Sequence, residues 1–270
     1  MAGKRLKLRF GGVKYNSRVL VNGEHAGGCF NGYDPFECDI TDAGAVAAVM
    51  RARQPGWIVN AAAYTAVDKA EDEPGPAMRL NALGAENLAR AAASGGARLI
   101  HLSTDYVFDG ASPRPYAEED PVAPLGVYGQ TKAEGERRVA AACPGAVILR
   151  TAWLYGKHGN NFVHTMLRLM GERERLTVVA DQHGTPTGVS SLCRVICELI
   201  ARFPGASGIY HVTDGGETTW HGFASAIAEE GARLGLVPGT CRVEPCPSSA
   251  YPTRARRPMY SVLSKAKISA

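Results

Sequence analysis

Tyr128-Gly-Gln-Thr-Lys132 places a phenol and an ammonium four residues apart at the expected start of a helix. Four residues make one helical turn, so both side chains fall on one face. That pair can reduce a ketone. As hydride reaches the carbon, the oxygen must receive a proton, and a tyrosine with a pKa of about 10 gives one readily only if a cation stabilises its phenolate. The lysine supplies that cation and can also hydrogen-bond a nicotinamide ribose. By itself the spacing more often marks a surface pair on a helix. Two further segments supply context. Ser103-Thr104-Asp105-Tyr106-Val107-Phe108-Asp109-Gly110 follows an expected strand, at the edge where open α/β sheets bind ligands. A hydroxyl there orients a tyrosine or a keto oxygen, or else caps a loop. Asn60-Ala61-Ala62-Ala63-Tyr64 also ends a strand, and its small side chains let a cofactor approach the backbone or let a helix pack closely on the sheet.

Such residues need elements to hold them. Short apolar runs at 57–60, 98–103 and 147–150 read as buried strands, and helical stretches are expected at 78–93, 128–142, 161–171, 189–202 and 220–234. Strands that are apolar throughout, alternating with helices, imply a parallel sheet covered on both faces. The expected class is α/β: a doubly wound, Rossmann-like domain over 39–160 and a smaller substrate-binding lobe over 161–270. Residues 1–38 stand apart. Leu6–Phe10, Ser17–Val21 and Phe36–Ile40 read as strands, Asn22-Gly23 as a hairpin turn, and no helical period is present. This segment is expected to be β-rich, with no helix opening on a glycine loop.

Composition narrows the partners. A net charge of +4 without strong clustering argues against nucleic acid. No apolar run reaches the length of a membrane span, and no long apolar stretch follows the basic N-terminus as in a signal peptide. Seven cysteines, irregularly spaced, do not form a disulfide framework, so a reducing cytoplasm is expected. His158, His183, His211 and His221 share no ligand spacing, and no Cys/His pattern marks a metal; magnesium is compatible with the chemistry but is not written in any motif.

Eight runs, in order, carry a resemblance: NAAAYTAVDKAE, HLSTDYVFDG, PLGVYGQTKAEGE, RTAWLYG, GNNFVHTMLRL, DQHGTPTG, GIYHVTDGGETTWHGFA and AYPTRARRP. Over residues 39–265 the chain resembles the dTDP-4-dehydrorhamnose reductases of the extended short-chain dehydrogenase/reductase superfamily. The resemblance implies an enzyme that uses NADPH or NADH to reduce the C4 keto group of dTDP-4-dehydro-L-rhamnose to dTDP-L-rhamnose. It implies Tyr128 as proton donor, Lys132 as its partner on the ribose, and Thr104 as the third member. Asp105 and Trp153 would contact the nucleotide sugar, and Asp39, Ile40, Ala62, Ala63 and Tyr64 would lie around the adenosine and ribose. Arg254, Arg256 and Arg257 could meet a pyrophosphate bidentately or form a solvated basic loop. Trp220 is expected to begin a helix and pack in the core. A homodimer is compatible with the family.

The family opens on a strand, a GxxGxxG loop and a helix, and no such motif occurs here. Instead 10–23 and 32–41 resemble a fragment of the β-sandwich sugar-binding domain of family 2 glycosidases. Family members also usually carry a final helix beyond the point where this chain stops. Three rival readings follow: a non-catalytic relative, such as the regulatory β subunit of methionine adenosyltransferase; an inactive chimera; and a carbohydrate-binding module. The loop that separates NADPH from NADH users falls in the replaced segment, so the sequence does not choose between them.

Overall fold

The computed structural model describes residues 38–270. Cys38–Thr41 form a turn in which Asp39 Oδ1 accepts from the Thr41 N–H at 2.9 Å and its hydroxyl at 2.8 Å. The expected strand at 36–40 is therefore not found over its described part. Asp39 satisfies its neighbours locally, as Asx turns do, and competes with strand pairing. The other strands and hairpin expected in 1–38 lie outside the described residues.

In chain order the elements begin with α1 (Ala43–Arg53), β1 (Trp57–Asn60), α2 (Val67–Ala70), α3 (Pro74–Met78), a wide π-type stretch (Arg79–Gly84) and α4 (Ala85–Gly95). Then come β2 (Arg98–Thr104), α5 (Val127–Ala142), β3 (Val147–Thr151), β4 (Leu154–Tyr155), α6 (Phe162–Glu172) and β5 (Arg175–Val179). The last are β6 (His183–Gly184), β7 (Thr187–Gly188), α7 (Val189–Arg202), β8 (Gly208–His211), β9 (Thr218–Thr219), α8 (Trp220–Arg233), β10 (Arg242–Cys246) and α9 (Ala266–Ser269).

β1, β2, β3 and β8 form one sheet in that order, with β1 and β2 parallel and Ile58 opposite Leu99. Among the described residues β1 therefore has a strand neighbour on one side. Ile58, Leu99 and Ile148 share a core with Leu88 of α4 and Val139 of α5, while Val59, Ile100 and Leu149, pointing the other way, are buried too. Burial on both faces is why these strands carry no polar alternation.

The chain divides into two units that interleave along the sequence rather than meeting at one residue. One holds 38–103, 126–149 and 203–209; the other holds 104–125, 150–202 and 210–270. In the second, α6 and α8 pack around Met166, Met170 and Ile227 against the parallel pair β5–β10. No helix among the described residues is long and apolar enough to cross a membrane.

Candidate functional site

Helix α5 begins with the candidate pair. Its first N–H, on Val127, donates to Glu71 Oε1 at 2.9 Å, and Tyr128 follows half-buried in the first turn. One turn on, Lys132 is 2% exposed and donates from Nζ to the Leu102 carbonyl of β2 at 2.6 Å. One turn further, buried Glu136 accepts from the Ser103 hydroxyl at 2.5 Å. Burial, opposed by the Glu136 carboxylate, pulls the lysine down to about 8. It can thus exchange a proton near working pH, unlike a solvated lysine.

The loop after β1 is tied to the same helix by one residue. Asn81, turned inward in the π-type stretch, takes the Tyr64 N–H on Oδ1 at 2.7 Å. Its amide nitrogen donates to the Tyr64 carbonyl and to Thr131 Oγ1, which lies between Tyr128 and Lys132. Gly135 is where α5 comes closest, because a Cβ there would collide with the Asn81 carbonyl. Asn60 Oδ1 holds the Ala62 N–H, which turns its amide nitrogen to His101 Nδ1 at 2.9 Å and leaves the histidine proton on Nε2. Among the described residues that buried Nε2 has no partner. Burial first, and the Lys132 charge second, hold His101 well below the usual histidine range, so it is neutral.

Of the cofactor residues the sequence suggested, Ala62 and Tyr64 are buried in this loop, Ala63 is half-buried, and the Tyr64 hydroxyl donates to Glu73 at 2.8 Å. Asp39 is half-buried. Ile40 is a core residue, 1% exposed, lying against Gly84 with its carbonyl taken by Asn87. A phenol, a buried ammonium and small residues at the carboxyl ends of β1 and β2 fit the ribose and nicotinamide end of a dinucleotide. The segment where a phosphate loop would stand lies outside the described residues.

The second unit carries the remaining candidates. Thr104, the last residue of β2, accepts from the Tyr106 N–H and donates to Asp105 Oδ1 at 3.0 Å. Asp105 is 2% exposed. Burial pushes its carboxyl up to about 6, against hydrogen bonding from Ser261 and Thr104. Its Oδ2 has no geometric hydrogen-bond partner among the described residues. Trp153 has a left-handed φ of 46°, a strained conformation for a bulky side chain. Its ring stacks on Trp220 at 3.6 Å, and a Cβ on Gly184 would meet it at 2.5 Å. Trp220 does begin α8, as expected, but it also lines a cavity of about 620 Å³ with Phe162, Gln182, Arg173, Arg175 and Arg257. Arg254 is exposed and Arg256 lies outside that lining too. The sequence did not single out Arg173 and Arg175, because no motif surrounds them. It also missed Asn81, Glu136 and His101. Among the described residues no group of three or more His, Cys, Asp or Glu could hold a metal.

The profile of the RmlD substrate binding domain matches residues 15–270. A dTDP-4-dehydrorhamnose reductase of Shigella flexneri is 46% identical over 232 residues, 85% of this chain and 78% of that one. This chain belongs to the dTDP-4-dehydrorhamnose reductase family. Solved relatives agree. The reductase of Clostridium acetobutylicum superposes with a TM-score of 0.81 at 42% identity, covering 87% of this chain and 82% of that one. That of Bacillus anthracis, solved in complex with NADP, gives 0.81 at 40% identity, covering 88% and 83%. The fold is thus the α/β, Rossmann-like one expected, and the family match reaches into the segment before residue 39.

Proposed function

We propose that this chain reduces the C4 keto group of dTDP-4-dehydro-L-rhamnose to dTDP-L-rhamnose, using NADPH or NADH. A reduced nicotinamide, held through its ribose by Lys132, would supply the hydride for C4. Tyr128 gives its hydroxyl proton to the carbonyl oxygen, so the ketone gains one hydride and one proton and becomes an alcohol. Lys132 stabilises the phenolate left behind and hydrogen-bonds the ribose. Thr104 orients the keto oxygen, and Asp39, Ile40, Ala62, Ala63 and Tyr64 frame the adenosine side. Asp105 and Trp153 contact the nucleotide sugar, and Arg254 and Arg257 its diphosphate. Arg173 and Arg175 join that anion site, because they line the same cavity as Arg257. The chain works in a reducing cytoplasm, and a homodimer is compatible with this reading.

The observation that carries this reading is the pinned pair. In a chain 46% identical to a named reductase, Tyr128 sits one turn from a buried Lys132 that is fixed to the end of β2. An intact pair also speaks against a non-catalytic relative. The test is Tyr128→Phe, which removes the transferable proton and little else. Turnover, followed by loss of reduced-nicotinamide absorbance, should fall about a hundredfold or more, with nucleotide-sugar binding kept. Unchanged turnover would show that the proton comes from elsewhere.

A further inference from the structure

We propose that Ser103 and Glu136 are positioning residues that clamp Lys132, in its charged form, against the end of β2. This rests on the reading of Lys132 as the support of Tyr128. Two consecutive residues of β2, Leu102 and Ser103, meet two side chains one turn apart on α5. The Leu102 carbonyl takes Lys132 Nζ at 2.6 Å, and the Ser103 hydroxyl donates to Glu136 Oε1 at 2.5 Å. Helix and strand are thereby fixed to each other at two points. Lys132, Ser103 and Glu136 are 2%, 4% and 5% exposed, so water does little of the holding.

The charge needs an explanation as well as the position. An isolated ammonium in such a place tends to lose its proton, and a neutral amine cannot stabilise a phenolate. The opposing charge comes from Glu136, which raises the lysine's proton affinity against burial. Several other charged groups around α5 are otherwise engaged. Glu86 of α4 is taken by Arg90 and Arg138, Glu71 receives the Val127 N–H, and Lys69 of α2 pairs with Glu73. Asp68 and Arg79 also lie on these elements, but the lysine's proton affinity responds to burial and to Glu136. On β2, His101 points to the same side as Ser103 and is neutral, so it neither supports nor opposes the ammonium.

Glu136→Gln keeps the shape and an acceptor for Ser103 but removes the charge. The midpoint of the Lys132 ammonium is read by heteronuclear NMR on lysine-labelled protein, its signal assigned by loss in Lys132→Arg. In Glu136→Gln it should fall by about 1 pH unit or more, the scale of one close opposite charge. The alkaline limb of turnover should move down with it, giving parent-like rates near about pH 6 and a deficit approaching about tenfold near about pH 9. Ser103→Ala should shift both in the same direction by less, and Ser103→Thr should restore them. An unmoved midpoint, or a deficit equal at every pH, would reduce the pair to scaffolding and overturn the proposal. Should Glu136→Gln fail to fold, Ser103→Ala decides by the same two readings. A midpoint that moves in a chain whose parent turns over no keto sugar would sink the reductase reading and leave the clamp standing.

Discussion

Asp105 carries a cost that its burial explains. Its carboxyl is buried beside a hydroxyl donor, yet burial outweighs the hydrogen bonds and lifts it from 3.8 to about 6. For an acid raised in the folded state, the penalty is fully present above the folded value and fades as pH falls toward the unfolded one. The gap corresponds to about 3 kcal/mol. Asp105→Asn should therefore be more stable than the parent at about pH 8, by an amount of that order, with the advantage gone near about pH 4. Denaturant unfolding at the two pH values checks it; an equal difference at both would assign the effect to packing. On the proposed role of Asp105, the same substitution should also lower nucleotide-sugar affinity. At this scale the sequence was readable where spacing alone defines a geometry. Tyr128 and Lys132 share a face because helices repeat every 3.6 residues. Glu136 shares that face too, but so many helical carboxylates do, and Glu134, which pairs with Arg137 and Arg138, is the ordinary kind. What separates Glu136 is Ser103, 33 positions earlier, and no local pattern shows that contact.

Helix α5 owes its place to one missing side chain. Gly135 lies against the Asn81 carbonyl, a backbone atom that cannot swing aside. Gly135→Ala should force the helix outward, destabilise by roughly 1–3 kcal/mol as overpacking does, and lower turnover by drawing Lys132 from Leu102. Unfolding and kinetics of the variant test this; parent-like values in both would mean the helix relaxes freely. Asn81 reaches that position because the helix expected over 78–93 runs without a break but widens into the π-type stretch between α3 and α4. Such stretches often occur at functional sites and leave no periodic signature in a short run. Elements whose apolar period persists were legible: the ends of α5, α7 and α8 fall within one residue of expectation, as do β1, β2 and β3. Two-residue strands were not, because β4 pairs with β7 and β6 with β9 across 30 residues or more. α1 went unnamed, although Asp42 caps it through Gly44 and Ala45.

For the whole molecule, the prediction concerns the segment before residue 39 and cofactor affinity. The chain contains no GxxGxxG loop, and among the described residues β1 is an edge of the sheet, where the family's central strand would pair. Backbone N–H groups that hold a pyrophosphate contribute about 1.5–3 kcal/mol each. Replacing residues 1–38 with a strand–GxxGxxG–helix segment from a complete family member should tighten NADPH binding about a hundredfold or more. Calorimetry on both proteins measures it, and equal affinity would show that the existing segment already serves the phosphates.

In the function proposed above, Tyr128 and Lys132 make this chain a ketoreductase of a nucleotide sugar. The most direct measurement incubates the purified full chain with dTDP-4-dehydro-L-rhamnose and NADPH or NADH, and identifies the product. dTDP-L-rhamnose should form in step with reduced-nicotinamide consumption, with a loss of about a hundredfold or more in Tyr128→Phe. No dTDP-L-rhamnose from the parent chain with either nucleotide, at concentrations that saturate binding, would contradict it.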